Sequence, residues 1–554
     1  MMKAWRSSVR WAAPVAVFCA VLCGSARAQT EGTGEGIARG PWRISGTVVS
    51  SRGGGTLARV RVTIADVKNR RIAESMITAD DGRFEFRVPA GKYSLEGAKR
   101  GFIAAAYDRH EQFSTAIVTG ADFDTETLVL RLAPNAVLTG KVLDEFGEPV
   151  RNAQVMVYRE NHYQGVSRIV GYRGAMTDDE GRYEAAELDE GTYFVSASGS
   201  PWYAVHPSTT GEGATGSPPQ VDASLDVAYP ITYYGDATEA NDATPIPVRG
   251  GDRLEADIHL NPVPALHLVV HTREGEVQPP VLQKPGFDDL DQERVPVADI
   301  RNNAAGEYEL TGVPAGRYTL LTRNANGQAT EMSEVNLTGG GELDASLGNP
   351  MSTIQARVRL ESGQKLPSHL QIGLRNSRGK SDVAQVDDKG EVKLNDISPG
   401  EYDVEVFSPS QPQAYAVTRI GLESGIVSGH ALNVPPGASL SISLVLVGSS
   451  VTVEGFAKRA GKGTSGAMIV LVPKNPEVNH DRFRRDQSDL DGSFRLPNVI
   501  PGQYTVIAIE DGWDLDWSEP AVLARYVEHG QTIEVGARSA APMHLTDAVP
   551  VQAK

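Results

Sequence analysis

The sequence predicts an all-β protein, a tandem array of about five antiparallel β-sandwich modules of Greek-key type behind a signal peptide. Three observations carry this expectation. Nearly the same phrase, a turn glycine and a short alternating run followed by Gly-x-Tyr, recurs five times along the chain. Short runs alternate apolar and polar residues at period two and are bounded by turn-forming residues. The 554 residues include 57 Gly and 33 Pro with no collagen period, which favours many turns over long helices.

The first element is a leader over residues 1–28. Lys3, Arg6 and Arg10 form a basic start, Trp11 to Gly24 is apolar, and Ala26-Arg27-Ala28 reads as a cleavage signal. The apolar run is too short for a membrane span, and no later run approaches about 18 apolar residues. Both cysteines, Cys19 and Cys23, lie inside this segment, so an exported remainder relies on packed cores rather than disulfides. Removing the leader moves the formal charge from -17 to -21, because it holds four basic residues and no acid. An acidic chain without a basic, aromatic-laced stripe is not expected to bind nucleic acid. The expected location is outside the cytoplasm: periplasm, cell surface or medium.

The repeats come next. The copies are "ADDGRFEFRVPAGKYSL" (79–95), "TDDEGRYEAAELDEGTYFV" (177–195), "AAGEYELTGVPAGRYTL" (304–320), "VDDKGEVKLNDISPGEYDV" (386–404) and "SDLDGSFRLPNVIPGQYTV" (488–506). Each has a turn glycine (Gly82, Gly181, Gly306, Gly390, Gly492) and ends in a tyrosine (Tyr93, Tyr193, Tyr318, Tyr402, Tyr504). The glycine reads as a hairpin turn needing positive φ. The tyrosine reads as a corner residue, its ring buried and its hydroxyl bonded to upstream backbone. Alternating closing strands such as Leu128, Leu130, Leu132 and Leu440, Ile442, Leu444, Leu446 end the modules. The resulting division is 43–133, 134–262 with a loop insertion, 263–349, 350–448 and 449–547.

"GKVLDEFGEPVRNAQVMVY" followed by "TDDEGRYEAAELDEGTYFVSA" resembles the carboxypeptidase regulatory-like domain. The first and fifth modules are similar to it too; the third and fourth lack the usual Gly-x-Val in their opening strands. The resemblance implies a transthyretin-like and carbohydrate-binding-like (starch-binding-like) sandwich, commonly an accessory to a zinc peptidase, an outer-membrane receptor or a glycan-active enzyme. No companion catalytic domain is visible in the sequence.

Little in the chain suggests catalysis. "HTRE" (271–274) has a His-x-x-Glu spacing suited to zinc, with His369 as a third donor. Yet His271 takes the place of Leu143 at the end of an opening strand, so strand structure is the favoured reading. The acidic turns lack the further ligands of a calcium loop. No cofactor or metal site is therefore expected. Candidate ligand-binding residues are loop aromatics beside acids: Trp513 and Trp517 with Asp514 and Asp516 first, then Trp202 with Tyr203 and Tyr233 with Tyr234. Such rings can stack on sugars; equally, they can cover the open ends of the sandwiches. The expected function is non-catalytic: carbohydrate binding, adhesion or spacing at the cell envelope, with glycan or an envelope protein as partner. The alternatives are an accessory or remnant of a zinc carboxypeptidase system, or an architectural protein-interaction array.

Overall fold

The computed structural model describes residues 36–163, 165–207, 222–273, 278–287, 292–295, 297–304, 306–376, 381–408, 414–422, 425–449, 451–536 and 541–554. The leader expected over 1–28 lies outside them. Among the described residues, no helix is long and apolar enough to cross a membrane.

One strand plan repeats. Each opening strand (Trp42–Ser50, Ala136–Leu143, Leu266–His271, Ser352–Leu360, Val451–Arg459) pairs antiparallel with the strand that follows the acidic turn. It pairs parallel, on its other side, with a closing strand. The sequence led us to expect antiparallel pairing throughout. The closing strand arrives from the opposite sheet, so it runs in the same direction as the opener. The second sheet of each module is centred on the strand that carries the repeated tyrosine: Lys92–Ala98, Gly191–Ser198, Gly316–Arg323, Gly400–Phe407 and Gly502–Ile509.

Alternation places the cores. Arg83–Val88 buries Phe84, Phe86 and Val88 and turns Arg83, Glu85 and Arg87 outward. Ile44, Val48, Leu130 and Leu132 meet them from the neighbouring strands. Each such side chain contributes about 1.5–3 kcal/mol of burial. Comparable clusters fill the later modules, around Val155 and Leu188, Leu268 and Leu310, Ile354 and Leu444, and Val453 and Leu496. In the fifth module Val549–Gln552 pairs with both the opening strand and Gly502–Ile509, so this module extends past the expected end at residue 547. A helix, Pro520–Val527, covers that module's outer face.

The described part of the insertion in the second module is packed. Tyr229, Ile231 and Tyr233 are buried, and Thr232–Tyr233 and Ile246–Val248 pair with the tyrosine-bearing strand. From sequence this stretch reads only as a loop insertion; burial of these rings is what holds it.

The modules touch their neighbours, and the last touches the first. Arg52 reaches Asp252 at 2.8 Å between the first and second. Phe287 of the third inserts among Tyr158, Phe194 and Tyr233 of the second, at 5.0, 4.9 and 5.4 Å. The fifth module returns to the first: Lys92 Nζ lies 2.7 Å from Asp489, Arg485 pairs with Glu111, and the Gln487 amide donates to the Asp108 carbonyl at 2.6 Å. The chain thus brings its first and last modules into contact.

Candidate binding surfaces

The repeated phrase is built the same way in every copy. Gly82, Gly181, Gly306, Gly390 and Gly492 have φ between 70° and 80°. Their carbonyls accept from the opening strands, from Val48, Val142, Thr272, Val358 and Ala457, at 2.7–2.9 Å. A Cβ at Gly181 would stand 2.7 Å from the Val142 carbonyl oxygen. Both the left-handed backbone and the close approach therefore require glycine. Turn carboxylates are held by backbone: Asp178 accepts from the Glu180 and Arg182 amides, and Asp387 from those of Lys389 and Glu391. These are Asx-type turn bonds.

The repeated tyrosines are buried, and each donates to the carbonyl four residues upstream. The distances are 3.1 Å for Tyr93 to Pro89, 2.9 Å for Tyr193 to Asp189, 2.7 Å for Tyr318 to Pro314, 2.8 Å for Tyr402 to Ser398 and 2.6 Å for Tyr504 to Ile500. Burial pushes the Tyr402 and Tyr504 hydroxyls up to about 12.

His271 sits on its strand, 3.9 Å from Glu307 and 3.7 Å from Glu342 on the strands beside it. Glu274 lies outside the described residues. No group of three or more His, Cys, Asp or Glu side chains among the described residues is arranged to hold a metal ion.

Trp513 and Trp517 do not present a platform to solvent. Their exposures are 9% and 6%. Trp513 stacks on His110 of the first module, centroids 5.0 Å apart and planes 6° apart, with Phe113 at 5.7 Å. Its indole N–H donates to the Gly466 carbonyl at 3.2 Å. Trp517 lies under Arg485, 4.3 Å from the guanidinium carbon, and against Gly165 at the tip of the second module's hairpin. Asp516 accepts from the Ser167 amide at 2.8 Å, and Asp514 is paired with Lys554. That hydrogen bond from Lys554 holds the Asp514 carboxyl below its ordinary range. A sugar could stack on these rings only after the modules part. Proline, glycine and acid around Trp513 and Trp517 suggested a surface loop; apposed modules cover that loop.

Tyr233 is fully buried in a cluster with Tyr158, Phe194 and Ile231, and Tyr234 is partly buried against the second module's core. This pair is not an open platform either. Trp202 is the exception, 83% exposed and standing edge-on to Tyr203, with centroids 5.8 Å apart and planes at 88°. Tyr203 donates to Glu145 Oε1, and Tyr229 donates to Oε2 at 2.9 Å. Burial alone would raise Glu145. Hydrogen bonds from Tyr203, its own backbone amide and Tyr229 outweigh it and hold the carboxyl below its usual range. Burial, then the bond to Glu145, push the Tyr203 hydroxyl up to about 12. Phe146, next to Glu145, is 79% exposed. Sequence reasoning missed Glu145, Phe146 and Tyr229, although "DEFGEPV" does place a solvent-facing phenylalanine in a turn.

A family comparison agrees with this plan for the first two modules. Residues 43–132 and 137–225 match the family profile described as the carboxypeptidase regulatory-like domain. The first two modules are carboxypeptidase regulatory-like domains. No curated protein sequence matches the chain. Among solved structures, the Bacillus anthracis TIE protein is similar at 12% identity over 73% of each chain, with a TM-score of 0.17. The full-length major pilin RrgB from Streptococcus pneumoniae is similar at 9% identity over 92% of this chain and 99% of its own, TM-score 0.17. BcpA, the major pilin subunit of Bacillus cereus, gives 9% identity over 74% and 99%, TM-score 0.14. The carboxypeptidase regulatory-like modules and the β architecture of the rest make this a tandem β-sandwich protein.

Proposed function

We propose that the chain is an exported, non-catalytic binding protein of five modules, dividing near residues 134, 263, 350 and 449, and that its outward contact is the Trp202 platform of the second module. The observation that carries this reading is Trp202 itself, 83% exposed while its neighbours Tyr203 and Tyr229 are tied to one carboxylate. An exposed indole on a fixed base stacks against a flat apolar face at little conformational cost. Glycan is the ligand class we assign to it, bound weakly at roughly millimolar to micromolar Kd per site. Stacking on a neutral sugar depends little on salt. The test is a glycan array followed by fluorescence titration of hits with wild-type protein and Trp202→Ala. Loss of binding in the variant supports the platform; equal binding by both contradicts it.

A second reading, a protein-interaction array at the envelope, is favoured by Phe146, whose exposed ring extends the apolar surface beside Glu145. Phe146→Ser would then weaken capture of a protein partner and leave glycan binding unchanged.

A further inference from the structure

We propose that the contact that closes the chain is exchangeable between copies: the fifth module of one chain docks on the first and second modules of another, giving a reciprocally exchanged dimer. The contact joins finished surfaces. Each participating module has its own apolar core, and across the contact Leu490 of the fifth module rests against the first module's core and Phe113 of the first against the fifth's outer cluster.

Its centre has the make-up of a protein–protein interface rather than of a domain interior. Arg485 is held by Glu111 at 3.1 and 2.5 Å and lies over Trp517 and Phe113, at 4.3 and 5.2 Å. Aromatic and arginine anchors of this kind dominate interface energetics. Polar bonds set the register around them. Lys92 meets Asp489, the Ala116 amide donates to Asp489 at 3.1 Å, and the Leu490 amide donates to the Ala116 carbonyl at 3.1 Å. From the second module, the Ser167 amide meets Asp516 and the Gly165 carbonyl accepts from the Ser518 amide at 3.3 Å.

What covers this face when it parts follows from its chemistry. Undocked, Trp513, Trp517 and Phe483 would form one apolar patch around a guanidinium, a surface that soluble proteins rarely leave bare. The complementary surface, with His110, Glu111 and Phe113, exists on every other copy of the chain. Two different surfaces meet, so a pair of opened chains closes the contact twice, once in each direction. The fourth module's closing strand ends at Ser449 and the fifth's opening strand begins at Val451, so exchange changes one junction. Within one chain the effective concentration favours the closed monomer.

Charge reversal tests this by light scattering after size exclusion. Glu111→Arg alone and Arg485→Glu alone should each give an expanded monomer. Mixed, they should form a one-to-one dimer of twice the mass, because one contact restores the native pair and the other the reversed pair. The double variant, Glu111→Arg with Arg485→Glu, should return to the compact monomer. Each variant's melt separates an opened contact from an unfolded module. If Arg485→Glu loses its cooperative melt, Lys92→Glu mixed with Asp489→Lys repeats the complementation at the contact's edge. A mixture of folded variants that stays monomeric, or single variants that stay compact, would overturn the proposal.

Discussion

Tyr193 is fully buried, its hydroxyl 2.9 Å from the Asp189 carbonyl. Tyr193→Phe should cost about 1 kcal/mol, the net worth of one such bond. Tyr193→Ala should cost about 3–5 kcal/mol, since it also empties a ring-sized volume. Gly181→Ala should cost more than about 1 kcal/mol, because φ is 70° and the new methyl meets the Val142 carbonyl. Thermal melts of the three variants check these values, and an unchanged melt for the tyrosine-to-alanine variant would remove the corner from the account. These positions were legible in the sequence because their cause is local: a turn that only glycine can make, and a ring whose acceptor is four residues away. Trp513 and Trp517 were legible only as interesting. A tryptophan in a polar loop reads the same whether water or another module covers it, and part of what covers these two, His110, Phe113 and Gly165, stands hundreds of positions earlier.

Strands were legible wherever one face is buried, as in Arg83–Val88, where alternation and burial coincide. The insertion of the second module was not. Tyr229, Ile231 and Tyr233 stand two apart, but every residue of 228–233 is buried, so no exposed polar face alternates with them to mark a strand. The short edge strand Arg484–Gln487 carries a further consequence. Burial pushes Asp486 up to about 7, with the charge of Asp489 adding to it, against hydrogen bonds from the Arg495 and Gln487 amides. A carboxyl raised in the folded state favours folding fully only below its unfolded pKa of about 4, and that contribution is lost as pH rises through about 7. The melting temperature of wild type relative to Asp486→Asn should therefore fall between about pH 4 and pH 7 and level off above. A difference that is flat, or that rises with pH, would contradict the burial of this carboxyl.

At the scale of the whole molecule, five sandwiches placed end to end would make a long spacer, but the contacts of Lys92, Glu111 and His110 with the fifth module close the chain on itself. Nothing periodic encodes those contacts, so the repeated strand plan was readable from the sequence and the arrangement of its copies was not. Arg485→Ala removes the guanidinium that lies over Trp517 and pairs with Glu111, and small-angle scattering should report a larger radius of gyration for it than for wild type. The tryptophans differ in the same closure: Trp202 faces outward, where we propose binding, whereas Trp513 and Trp517 face inward, against the first and second modules. Hydroxyl-radical footprinting read by mass spectrometry measures this directly. The account predicts rapid oxidation of Trp202, strong protection of Trp513 and Trp517, and loss of that protection in Arg485→Ala; equal oxidation rates for Trp202, Trp513 and Trp517 in the wild-type protein would contradict it.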